Sequence, residues 1–160
     1  MIPRNHSELG SVLKRFADFQ GFLNTDKIEN AQVTHYETGQ QFKPHYDYRV
    51  NLSDTPRFKR ATTGFAILDA TCEDCGTHFP LIETNWTRAS GRWCEIVDCA
   101  SDTLIVKPLP GGLLFWQNVR SDGLLDERML HAGLPVSNGY KTGLNIWSEV
   151  NLWESPVLRS

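Results

Sequence analysis

The chain reads as a mainly β protein with one flanking helix, an α+β arrangement. Three observations predict this: one stretch of helical periodicity near the start, many short β-rich runs after it, and turn residues between those runs. Short strands punctuated in this way pack as a sandwich, jelly roll or barrel.

The helical stretch covers residues 7–22, where Leu9, Val12, Leu13, Phe16 and Phe19 recur at spacings of three and four. Ser7 is placed to cap its start and Gly21 to end it. Residues 1–23 are therefore read as an N-terminal support helix across the back of a sheet, within a single domain over 1–160; a partner-binding helix is the alternative. Strands are expected over 31–36 and 42–50 with Gly39 turning between them, followed by a polar loop over 51–59 that contains Pro56. The run RATTGFAILDAT at 60–71 puts Phe65, Ile67 and Thr63 on one face. Further strands are expected over 77–79, 103–108, 112–116 and 142–150.

Composition narrows the partners. A formal net charge of −3 gives no electrostatic reason to expect nucleic acid, and no window approaches the roughly 20 apolar residues of a membrane span. The start, MIPRNHSELGSVLKRF, lacks the apolar core of a signal peptide, so the chain as written is expected to be cytoplasmic. The cysteines fall as C72-x2-C75 and C94-x4-C99, a spacing that admits a zinc site through thiolates, disulfides in any of three pairings, or free thiols. Paired cysteines and a truncated N-terminus would together point to the secretory pathway instead.

The densest chemistry lies in HYETGQQFKPHYDYR, residues 35–49. Residues i and i+2 of a strand share a face, so His45 and Asp47 aim an imidazole and a carboxylate at one point. A later histidine, His131, completes a two-histidine, one-carboxylate triad that leaves about three of six positions open on Fe(II). By itself H-x-D also describes a hydrogen-bonded surface pair.

The surroundings add to it. Tyr36 lies nine residues before His45, Lys141 ten after His131 and Trp147 six after Lys141, with HAGLPV and GLNIW framing the second half. On these residues the chain from 32 to 147 resembles the prolyl 4-hydroxylase-like Fe(II)/2-oxoglutarate-dependent dioxygenases. The resemblance implies a double-stranded β-helix, a cupin-like jelly roll with iron at its open end. It implies Fe(II) on His45, Asp47 and His131, 2-oxoglutarate as cosubstrate with O2, and ascorbate as a reductant. Lys141 then matches the cation for the distal carboxylate of 2-oxoglutarate, and Tyr36 and Thr77 match its other contacts. Cys75 departs from the pattern, standing where the family has a glycine.

The resemblance also aligns Arg60 with an arginine that contacts peptide substrate in the family, an edge-strand charge being the plain alternative. Phe42 sits where the family that the chain resembles often has an aromatic near the proline ring. Residues 141, 145 and 147 share strand parity, so Asn145 and Trp147 are placed to line the same pocket face as Lys141. Asp54, Asp69, Asp122 and Asp126 have turn-like surroundings that need no catalytic role. The implied reaction is hydroxylation of a prolyl peptide or small molecule with release of succinate and CO2. The competing readings are a tailoring oxygenase for a free amino acid or natural product, and a non-catalytic zinc-stabilised binding module.

Overall fold

The structure is a computed structural model that describes residues 1–3, 5–21, 24–48, 59–87, 90–122 and 124–150. The polar loop expected over 51–59 lies outside the described residues except for Lys59, so nothing is placed for Asp54 or Pro56. Phe22 and Leu23 at the expected helix end, and Arg49 and Val50 at the expected strand end, also lie outside them.

Helix α1 (Gly10–Phe19) precedes strands β1 (Gln32–Glu37), β2 (Phe42–His45), β3 (Lys59–Ala70), β4 (Thr77–Glu83), β5 (Thr103–Val106), β6 (Leu113–Gln117), β7 (His131–Gly133) and β8 (Tyr140–Val150). They form two four-stranded sheets, ordered β1-β8-β3-β6 and β2-β7-β4-β5. Every pairing is antiparallel. Both sheets mix strands from the two halves of the chain, as a double-stranded β-helix does.

Alternation along β3 and β8 sorts the interior into two layers. Leu144 and Ile146 of β8 face α1, where they pack with Leu9, Leu13, Phe16, Ala17, Ile28 and Ala31. Phe65 and Ile67 of β3 face the opposite way and meet Phe79 and Trp116 between the sheets. Gly64 lies on the helix side of β3 because a side chain there would meet the Phe16 ring at 2.5 Å.

Several expectations are corrected. The helix starts at Gly10 with Leu9 in the cap position and no side-chain cap bond, so Ser7 does not cap it. Leu9 is 7% exposed, and its burial fixes that end instead. Gly21 has φ 88°, the left-handed turn that closes the other end. The ligand strand stops at His45 and Asp47 sits in the bend beyond it. Pro44 has no N–H to donate, and the β2–β7 register shifts between Phe42 and His45. Strand β7 is three residues long, too short to carry a visible alternation. Arg60 is buried and paired with Glu29, so the role of an exposed edge-strand charge falls.

Cys72 bonds Cys75 and Cys94 bonds Cys99, with Cα separations of 5.9 and 5.4 Å. No free cysteine remains, which removes both the thiolate zinc site and the cross-pairing. The second bridge closes the 3-10 turn Gly91–Glu95 and the loop after it rather than a hairpin. Asp122 and Asp126 pair with Arg120 and Arg128, and Asp69 accepts from Tyr140.

Gly64→Ala is expected to cost about 1–3 kcal/mol, because α1 must move to admit the methyl group. Urea unfolding checks this: a lower midpoint at unchanged slope is expected, and an unmoved midpoint would show the Phe16 ring swinging aside.

Candidate active site

His45 ends β2, His131 opens β7, and these two residues are partners in the β2–β7 register. One donor atom from each of His45, Asp47 and His131 lies within 4.8 Å of the others. A carbonyl oxygen only accepts, so the 2.9 Å contacts of His45 Nδ1 with Lys43 O and of His131 Nδ1 with Met129 O place both ring protons on Nδ1. The bare Nε2 atoms face Asp47, at 3.6 Å from Oδ1 and 3.7 Å from Oδ2. Two unprotonated nitrogens and a carboxylate at this spacing fit a divalent transition metal with open positions.

The carboxylate is held by a buried chain of donors. Thr63 Oγ1 donates to Asp47 Oδ2 at 2.7 Å, Asn118 Nδ2 donates to Thr63 Oγ1 at 2.9 Å, and Trp116 Nε1 donates to Asn118 Oδ1 at 2.9 Å. Burial raises the Asp47 carboxyl, but the His45 and His131 imidazoles, when protonated, and the Thr63 hydroxyl outweigh it and bring it down to about 2. Burial depresses His131, which favours the neutral, ligating ring. The His131 ring is braced by Trp116 at 4.8 Å and Phe79 at 5.6 Å between centroids.

A cavity of about 350 Å3 opens on these three residues. The structure brings all the expected noncysteine site residues to it: Tyr36, Phe42, Arg60, Thr77, Lys141, Asn145 and Trp147 line it with the triad. Along β8 its two ends are marked by Lys141, opposite Tyr36, and by Trp147, opposite Thr63.

Lys141 is 2% exposed, and its Nζ donates to the Cys75 carbonyl and lies 5.7 Å from the Tyr36 ring centroid. Burial lowers its pKa from 10.5 to about 8. No ion pair to it occurs among the described residues. A buried ammonium without a counter-ion carries a desolvation cost that an anion in the cavity would offset. Thr34 Oγ1 and Trp147 Nε1, in the same lining, are buried without a hydrogen-bond partner. A dicarboxylate such as 2-oxoglutarate suits this combination of an open metal face, a buried cation and unpaired polar atoms.

Arg60 is not a free arm. Its Nε and Nη2 donate to Glu29 at 2.5 and 2.8 Å, and its guanidinium lies 3.7 Å from the Trp147 ring centroid. Phe42 is 46% exposed at the rim and packs edge-on to His45 at 4.2 Å.

Sequence reasoning missed Gln32, Thr34, Tyr46, Phe65 and Trp116 in the lining, and Thr63 and Asn118 behind Asp47. The parity of 32, 34 and 36 on β1 carried a usable signal for the first two. Asn118 carried none, since it follows the end of β6.

A double-stranded β-helix that holds two histidines and one carboxylate around a cavity defines a non-haem metal enzyme class. Comparison with known proteins gives the family. The profile of the 2OG-Fe(II) oxygenase superfamily matches residues 31–149, and the chain belongs to that superfamily. It is 38% identical over 143 residues to probable prolyl 4-hydroxylase 3 of Arabidopsis thaliana, covering 88% of this chain and 48% of that protein. Prolyl 4-hydroxylase 5 of the same plant is 36% identical over 153 residues, covering 94% and 52%. The chain thus spans about half the length of the curated relatives it matches. In fold it is similar to the viral collagen prolyl hydroxylase of Paramecium Bursaria Chlorella virus-1, in a 2OG complex. The TM-score is 0.69 at 24% identity, over 94% of this chain and 76% of that one.

Thr63→Val removes the donor to Asp47 and strands the Asn118 amide. Metal affinity is expected to fall about 10–100-fold with the fold retained. Mn(II) titration followed by electron paramagnetic resonance measures it, and an unchanged affinity would show that Thr63 does not orient the carboxylate.

Proposed function

We propose that this chain is the catalytic domain of an Fe(II)- and 2-oxoglutarate-dependent dioxygenase that hydroxylates a prolyl peptide. The observation that carries the reading is the buried, uncompensated Lys141 ammonium in the same cavity as His45, Asp47 and His131. Membership of the superfamily and the identity to plant prolyl 4-hydroxylases support it. Two disulfides support an oxidising compartment in preference to the cytoplasm. Among the described residues no helix is long and apolar enough to cross a membrane.

In this reading His45, Asp47 and His131 would hold Fe(II) and leave coordination positions for ligands. Bound iron, with 2-oxoglutarate and O2, supplies oxidative decarboxylation to succinate and CO2 coupled to insertion of oxygen into a substrate C–H bond. The chain's own residues bind and orient. Lys141 neutralises the distal carboxylate where water is excluded and attraction is strong, while the Tyr36 ring and the Thr77 hydroxyl flank it. Asn145 and Trp147 form the far wall, and the Arg60–Glu29 pair holds the indole by stacking. Phe42 and Tyr46 at the rim offer aromatic faces to a proline ring.

Succinate formation from 2-oxoglutarate, in anaerobically Fe(II)-loaded protein exposed to air with ascorbate, tests the reaction class. Turnover is expected from the native chain, increased by proline-rich peptides, and abolished in Asp47→Ala. Turnover that ignores every such peptide would move the substrate to a free amino acid or natural product.

Lys141 sets a pH dependence. The anion favours the charged amine, so above a pKa of about 8 binding takes up a proton and 2-oxoglutarate affinity falls by up to about tenfold per pH unit. Stability runs the other way: the folded amine loses its proton near pH 8 and the unfolded one near 10.5, so the burial penalty is full below pH 8 and fades as pH rises between these values. Lys141→Met is expected to weaken 2-oxoglutarate binding on the order of 100-fold without lowering the melting temperature at pH 7. Calorimetry across pH 7–9 reads the first effect, and a pH-independent affinity would remove Lys141 from the cosubstrate site.

A further inference from the structure

The turn between β3 and β4 is closed by the Cys72–Cys75 disulfide, and all three residues assigned to 2-oxoglutarate converge on it. The Cys75 carbonyl accepts from Lys141 Nζ. Tyr36 packs against the buried cluster of Cys72, Cys75 and Val136. Thr77 opens β4 two residues beyond Cys75.

The loop also grips the backbone that delivers the lysine. Thr71 N and Cys72 N donate to Tyr140 O at 3.0 and 3.4 Å, and Tyr140 N donates to Thr71 Oγ1 at 3.1 Å. Gly139, at φ 83°, admits this approach, because any side chain there would overlap Thr71. Cys75 is fully buried, so its carbonyl has no water to turn to. The second disulfide is different: Cys94 and Cys99 lie outside the cavity lining, and the Cys94 carbonyl accepts from Lys107 at 2.7 Å.

The geometry points to the Cys72–Cys75 disulfide as a positioning element of the cosubstrate site, so that affinity for 2-oxoglutarate depends on the redox state of this cysteine pair. The inference rests on the function proposed above. With the bridge closed, the Cys75 carbonyl is held against Lys141 Nζ and the cluster of Cys72, Cys75 and Val136 against Tyr36. A dithiol reductant delivers two electrons and two protons: the S–S bond breaks, two S–H groups form, and the dithiol closes to its own disulfide. The freed turn then no longer fixes the carbonyl that aims the ammonium. Cosubstrate binding is thereby tied to oxidative folding of this loop, and a reduced chain needs more 2-oxoglutarate to saturate although its metal ligands are intact.

The test is anaerobic calorimetry of 2-oxoglutarate binding to the Mn(II)-loaded protein, oxidised and after dithiothreitol treatment and desalting. The Kd is expected to rise about tenfold on reduction, the equivalent of one weakened hydrogen bond to a charged group. Cys72→Ser/Cys75→Ser is expected to match the reduced protein, with KM for 2-oxoglutarate raised and kcat at saturation within about twofold of native. Cys94→Ser/Cys99→Ser, also Mn(II)-loaded, should keep the native Kd. The Lys141 13Cε resonance should shift on reduction at Cys72–Cys75, a signal that general loosening elsewhere would not produce. Equal Kd values in the two redox states overturn the inference alone. Loss of the fold in both the reduced protein and the Cys72→Ser/Cys75→Ser variant also overturns it, since the bridge is then a general staple. Absence of binding to the oxidised protein overturns the proposed function and the inference with it.

Discussion

The pocket depends on the register of β8, the strand paired with β1 on one side and β3 on the other. Its odd-numbered residues Lys141, Asn145 and Trp147 line the cavity, and its even-numbered Leu144 and Ile146 lie under α1. A slip of one residue would exchange these sets, placing an ammonium beneath the helix and leucine in the cavity. Gly143 helps hold the arrangement, since the ring of Phe65 fills the space its side chain would take. The helix is therefore more than a cover: its apolar stripe is what makes the inward-facing register favourable.

The buried charges fall into separate physical situations. Arg60 and Glu29 satisfy each other with two hydrogen bonds and brace Trp147, so their charge is already compensated inside the fold. Asp47 accepts from the Thr63 hydroxyl and faces two imidazoles, an arrangement that keeps it ionised and oriented. Lys141 meets a neutral carbonyl and the Tyr36 ring, with no carboxylate against it among the described residues, and burial lowers its pKa accordingly. A fold that keeps an ammonium at such a cost, in the cavity that His45, Asp47 and His131 also line, is prepared for an anion.

The two sheets contribute unequal things. The β1-β8-β3-β6 sheet supplies the cavity floor, the lysine and the threonine behind Asp47, whereas the smaller sheet supplies both histidines from short, irregular strands. Those strands gain their rigidity from side chains and carbonyls: both Nδ1–H groups are tied to main-chain oxygens, and Trp116 and Phe79 wedge His131. Ligand geometry is thus set by hydrogen bonding and aromatic packing more than by strand pairing.

The residues gathered at the cavity were legible in the sequence partly through strand spacing, which pairs His45 with Asp47, and partly through the family resemblance, which pointed to His131 and Lys141. Histidine, aspartate and lysine at 45, 47, 131 and 141 have few substitutes as ligands or anion partners, and the parity of 141, 145 and 147 could be counted directly. The helix and the long strands were legible for a similar reason, since their hydrophobic periods extend over many residues. Tertiary structure alone decided the rest. The end of β2 follows from Pro44 and a register shift, Asp47 reaches the site from a bend, and the donor chain behind it joins residues 63, 116 and 118 across two strands and a loop. The spacing of the cysteines left their pairing open until the fold brought each pair within bonding range. Arg60 looked like a substrate arm or an edge charge, and only packing showed it committed to Glu29. Contacts between residues distant in sequence leave no periodic trace, so local pattern specifies which groups are present and the packed fold decides which of them meet.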